Sequence, residues 1–120
     1  MFWVVALLNT VAALASMAFA VITLLRPNQF IPPGLQPQTD RFAAATYAAR
    51  AVPLGCAVVA VVWVAPTGIA AALLLGVACV AQVGDVALAL VHRVWGMATG
   101  AGAGVVFHAL GVLAALGLVG

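Results

Sequence analysis

The chain has 120 residues, 68% of them hydrophobic and 5% charged, where soluble domains carry about 25% charged residues. Mean hydropathy is +1.31, Lys and Glu are absent, and the formal net charge of +2 is thinly scattered. These values exclude a water-soluble core and a nucleic-acid surface. The apolar runs are continuous and lack period-two alternation, which excludes a membrane barrel.

The sequence predicts an all-α, integral membrane, antiparallel four-helix bundle, with residues 1–120 forming one transmembrane domain. Each predicted span reaches the roughly 20 residues a hydrocarbon core requires. The first runs over Phe2–Leu25. Ala18-Phe19-Ala20 resembles a signal-peptide cleavage site. No positive charge precedes the run, however, and Arg26 follows it, so the segment reads as a retained helix. Arg26-Pro27-Asn28 ends it. Residues 26–40 form the one long connection, with Pro27, Pro32, Pro33 and Pro37.

Thr39-Asp40 can cap the second span, Arg41–Ala65. Pro66-Thr67 makes a tight reversal, with Thr67 expected as N-cap of the third span, Gly68–His92. Residues 93–98 separate it from the fourth, Thr99–Val119. Arg26, Arg41 and Arg93 flank one side, and the positive-inside rule places that side, with loops 26–40 and 93–98, in the cytoplasm. Both termini then face out across the cell membrane. Trp95 and Phe30 fall at the cytoplasmic interface, and Trp3 and Trp63 at the outer one.

Polar residues inside the spans carry the chemistry, because a charge at that depth costs several kcal/mol and seeks a partner or cavity. Arg50 lies nine residues past Arg41, ~14 Å deep at ~1.5 Å per residue. Asp85 lies seven residues before His92, ~11 Å deep. On an antiparallel pair the two share a layer. His108, nine residues past Thr99, and Ser16, nine before Leu25, join it at ~14 Å. Helical faces group Asn9, Ala13, Ser16, Ala20 and Thr23 on the first span, and Ala43, Thr46, Tyr47 and Arg50 on the second. Gln82, Asp85, Ala89 and His92 share a face of the third, and Gly100, Gly104 and His108 one of the fourth. Mixed small and polar stripes of this kind are inward bundle faces.

The expected site is a buried Arg50–Asp85 ion pair with His108 beside it, walled by Tyr47, Gln82, Ser16 and Asn9. A purely structural ion pair between the second and third helices is the alternative. Cys56 and Cys79 fall at matching depths but about 120° around their helices from the ionisable residues, and read as packing residues. No metal site and no cofactor is expected. His92 and His108 differ in depth by ~14 Å, too far to clamp a haem. The Gly100–Gly104 run is read as internal packing, and Pro53 as a source of a kink beside the site.

With Tyr47-Ala48-Ala49-Arg50-Ala51-Val52-Pro53-Leu54-Gly55 on the second helix and Gly84-Asp85 on the third, the chain resembles the DoxX-like small four-helix membrane proteins of bacteria. The resemblance implies a four-helix bundle with a polar interior and carries over Arg50 and Asp85 as family positions. It implies no particular activity. Four-helix multidrug exporters are similar in length but depend on a Glu in the first helix, and this chain has no Glu.

Three functions follow as expectations. One is a membrane enzyme performing acid–base chemistry on a lipophilic small molecule (isomerisation, cyclisation or epoxide opening). Asp85 or His108 would move the proton and Arg50 would stabilise developing negative charge. The second is a non-catalytic accessory or scaffold subunit of a membrane assembly. The third is a dimeric proton-coupled transporter with Asp85 as coupling carboxylate. The expected partners are the lipid bilayer, a lipophilic ligand and, for the third function, a second copy forming a homo-oligomer.

Overall fold

The computed structural model of the protein describes residues 2–26 and 42–119. Among these residues all regular structure is helical: α1 (Phe2–Leu25), α2 (Phe42–Val64), α3 (Ile69–Val91) and α4 (Trp95–Ala115). All four are long and apolar enough to cross a membrane. Arg41, Phe30, the proposed Thr39-Asp40 cap and the proline-bearing connection lie outside the described residues.

Small side chains build the inward faces. On α2 the buried stripe is Ala44, Ala48, Ala51, Gly55, Val58 and Val62; on α4 it is Ala101, Gly104, His108, Gly111 and Ala115. Alternating steps of three and four keep each stripe on one face, and small residues let helix backbones approach closely. Large apolar side chains such as Leu7, Leu14, Leu73, Val80, Leu88 and Val106 point outward and are exposed.

The helices pack as two close pairs, α1 with α2 and α3 with α4; α1 against α4 joins the pairs, and α2 meets α3 only sparsely. At one end Phe2, Trp3 and Trp63 stack with ring centroids 5.1–6.3 Å apart. Trp63 Nε1 donates to Thr10 Oγ1 at 2.8 Å. Toward the other end Phe19 meets Tyr47 edge-on at 6.0 Å. Gly68 N–H donates to the Ala115 carbonyl at 2.9 Å, tying the start of α3 to the end of α4.

Several boundaries differ from the sequence reading. Helix α4 begins at Trp95 and ends at Ala115, four residues earlier at each end than expected. The reason is the turn before it. His92 caps α3, Arg93 takes a left-handed φ of 58°, and the Val94 and Arg93 N–H groups bond the Ala89 and Leu90 carbonyls. That is a Schellman closure, and it needs only three residues before a new helix starts. The same closure ends α4, with Gly117 at φ 74° and Leu118 N–H on the Leu113 carbonyl. Lastly, Gly68, at φ 98°, and not Thr67, is the N-cap of α3, and no side chain caps that helix.

Candidate functional site

Besides Trp63–Thr10, the polar side chains of the spans meet as three couples, each joining a different pair of helices. Between α2 and α3, Arg50 Nη2 lies 3.2 Å from Asp85 Oδ1. Tyr47 O–H donates to Asp85 Oδ2 at 3.4 Å, and the Arg50 guanidinium sits 5.2 Å from the centroid of the Tyr47 ring. Between α3 and α1, Gln82 Nε2 donates to Ser16 Oγ at 2.6 Å. Between α4 and α1, His108 Nδ1 lies 2.8 Å from Asn9 Oδ1.

The ion pair is lopsided. The Asp85 side chain is 9% exposed and that of Arg50 49% exposed. The expectation of two buried charges therefore holds for the acid only. The cause is on α2, whose Ala44–Ala48–Ala51–Gly55 stripe occupies the inward face. The polar face expected there is rotated outward. Ala43 and Thr46 are exposed, and Thr46 Oγ1 donates to its own helix at the Phe42 and Ala43 carbonyls. Tyr47 and Arg50 reach Asp85 from the edge of that face. On α3, Gln82, Asp85 and Ala89 are buried as expected, but His92 is exposed at the helix end.

His108 also moves. With α4 starting at Trp95, it lies 13 residues into the helix, ~20 Å from its start. Its direct partner is Asn9 and not the ion pair. Asn9 is fully buried at 0% exposure, and its Nδ2 donates to the Val5 and Phe107 carbonyls at 2.9 and 3.0 Å. Two glycines make room for these couples. A Cβ at Gly111 would meet Asn9 Nδ2 at 2.9 Å and Leu75 Cδ1 at 3.0 Å, and one at Gly104 would meet Gln82 Cδ at 3.0 Å. Gly104 supports the internal packing read from the glycine run. Gly111 was not singled out from the sequence, although it continues the Gly104–His108 face.

A cleft of about 700 Å³ opens between α1 and α4. Asp85, Tyr47, Gln82 and Ser16 line its polar part; Val11, Ala15, Phe19, Trp95, Met97 and Phe107 are among its apolar walls, and Arg93 sits at one end. The sequence signal for this cleft is the small residues on both sides, Ala12 and Ala15 against Gly96, Gly100 and Ala103. Additional side chains at Gly96 and Gly100 would meet nothing within 4 Å. Behind the cleft lies a second cavity of about 30 Å³, bordered by Arg50 and His108 and by the same Ser16, Tyr47, Gln82 and Asp85. Those four side chains form the partition between the two spaces.

Cys56 and Cys79 do not meet. Both are free thiols: Cys56 Sγ lies 3.8 Å from Met17 Sδ, and Cys79 Sγ lies 3.6 Å from the Val105 carbonyl. Among the described residues no group of three His, Cys, Asp or Glu could hold a metal ion. No family model, curated protein or solved structure matches the chain, so its function rests on the geometry of these couples and cavities.

Proposed function

We propose that the chain is a multi-pass membrane protein that takes a lipophilic small molecule into the α1–α4 cleft and presents it to Asp85 for acid–base chemistry. The observation that carries this reading is a cleft with apolar walls that ends on a buried carboxylate. Its volume of about 700 Å³ lies in the range of small-molecule sites, roughly 300–1,000 Å³, which pair apolar walls with a few polar groups. Both Asp85 oxygens have a partner, Arg50 on one and Tyr47 on the other. An ionised carboxylate keeps further lone pairs, so Asp85 can still accept a hydrogen bond or a proton from a ligand. Arg50 and the Tyr47 hydroxyl hold it in position, and Arg50 supplies the positive charge that steadies an anion formed beside it.

Membrane insertion is supported by the exposed apolar outer face and by four helices of spanning length. An antiparallel arrangement is supported by the Trp3–Trp63 and Phe19–Tyr47 contacts at opposite stretches of α1 and α2. In that arrangement Arg26 and Arg93 lie on the cytoplasmic side. Kinship with the DoxX-like proteins rests on the motifs around Arg50 and Asp85 and is part of the same proposal.

Gly100 provides the test. It lines the cleft, and a side chain there meets no neighbour. Gly100→Leu should fill the cleft without disturbing the helices. The wild-type protein, purified in detergent from its native membrane, should carry a lipophilic molecule detectable by mass spectrometry. Gly100→Leu should lose it, and Asp85→Asn should retain it but not convert it. Equal recovery of the molecule from wild type and Gly100→Leu would refute the cleft as its site.

A further inference from the structure

The fully buried Asn9 determines which nitrogen of His108 carries the proton. Asn9 Nδ2 donates both of its hydrogens, to the Val5 and Phe107 carbonyls. The group facing His108 is therefore the amide oxygen, which can only accept. His108 Nδ1, 2.8 Å away, must then be the N–H donor. In the neutral ring, Nε2 is left as a bare acceptor. No described residue bonds it, yet no buried side-chain nitrogen or oxygen among the described residues lacks a partner. Nε2 therefore retains accessible surface, although His108 as a whole is 2% exposed. The space that His108 borders is the cavity of about 30 Å³ that it shares with Asp85.

We infer that this cavity is a water site joining Asp85 to His108, and that His108 Nε2 is the inner proton acceptor of the protein. A volume of about 30 Å³ exceeds the roughly 10–15 Å³ that a water molecule needs, and a bound water takes two to four polar partners. Those partners border the cavity. The Asp85 carboxylate and His108 Nε2 accept the two water hydrogens. Ser16, whose Oγ accepts from Gln82, keeps its own O–H to donate to the water oxygen, and Arg50 has N–H groups to spare.

A proton reaching Asp85 can move to the water oxygen while the water passes one of its own to Nε2. The carboxylate and the water are regenerated, and the imidazolium keeps its Nδ1–H bond to Asn9. Asn9 is the positioning residue, because it directs the basic nitrogen toward the cavity. The ionisable groups facing His108 across this space are Asp85 from α3 and Arg50 and Tyr47 from α2; α1 contributes the neutral Asn9 and Ser16. The inference does not depend on what occupies the cleft.

Nitrogen-15 NMR of the full chain in lipid bilayers, labelled at histidine, tests it. His92→Gln in every sample leaves His108 as the one signal. Near-neutral pH should give a protonated Nδ1 and a bare Nε2, with magnetisation transfer from water to the imidazole. Ala81→Leu puts a larger side chain into the same cavity. It should abolish the transfer and keep the Nδ1–H form. Should that variant fail to fold, Ser16→Val occupies the same space and gives the same reading. A protonated Nε2 in the parent protein, no transfer from water, or undiminished transfer in the filled variant would each overturn the inference.

Discussion

Asn9 and Gly111 make a contact that exists because position 111 has no side chain. The Asn9 amide, held by two carbonyls and one imidazole, has nowhere to move when a Cβ appears 2.9 Å from its nitrogen. Overpacking of this kind costs roughly 1–3 kcal/mol, whereas Gly to Ala in an open helical position gains up to ~1 kcal/mol. Gly111→Ala should therefore lower the thermal unfolding temperature in detergent. Gly102→Ala, where an added Cβ meets nothing within 4 Å, should leave it equal or raise it. The reverse order would mean that the amide is not held as described. A second comparison at this scale concerns the ion pair. Asp85 is buried between two partners and Arg50 is half exposed. Arg50→Ala should thus destabilise more than Asp85→Ala, since it leaves the buried carboxylate without its counter-charge, whereas Asp85→Ala strands only a half-exposed guanidinium. Melting curves of the two variants decide this.

Among the elements, the turn between α3 and α4 is the one whose chemistry departs from its geometry. Both α3 and α4 end in a Schellman closure, but α4 uses Gly117 at the left-handed position and α3 uses Arg93. A side chain there costs about 1–2 kcal/mol. Arg93→Gly should raise stability by about 1 kcal/mol, while Arg93→Val, with a β-branched side chain, should lower it. Chemical or thermal unfolding of both variants checks the pair. The same turn explains how far the sequence could be read. Helix α1 follows from an uninterrupted apolar run closed by Arg26-Pro27, and α3 from a run bounded by Pro66 and His92. Helix α4 was placed four residues late because Gly96 is a poor helix former and Arg93 is an unusual closing residue. That error set His108 four residues too shallow in its helix. The polar couples were legible from three-and-four spacing on α1 and α3. They were misread on α2, where an alanine stripe outcompetes polar residues for the inward face, since close helix approach favours the smallest side chains. The cleft was only half legible: the small residues that line it on α1 and α4 stand in the sequence, but no spacing within one helix encodes how far those helices stand apart.

For the whole molecule, the interfaces are unequal. Helices α1 and α2 hold each other closely, as do α3 and α4, and the two pairs meet chiefly through α1 and α4. The short Pro66–Gly68 link joins two helices that scarcely touch along their length. Across that open seam the Arg50–Asp85 and Tyr47–Asp85 contacts are the polar stitches; Gln82–Ser16 and His108–Asn9 do the same work between α1 and the second pair. Chain continuity at this reversal therefore contributes little that side chains do not already supply. Split between Pro66 and Thr67 and produced together, the two fragments should find each other and co-purify as a stoichiometric complex through a tag on one of them. Asn9→Leu in the first fragment should weaken that capture. Fragments that never associate would mean that the peptide link, and not the network of amide, imidazole and carboxylate, keeps the halves in register.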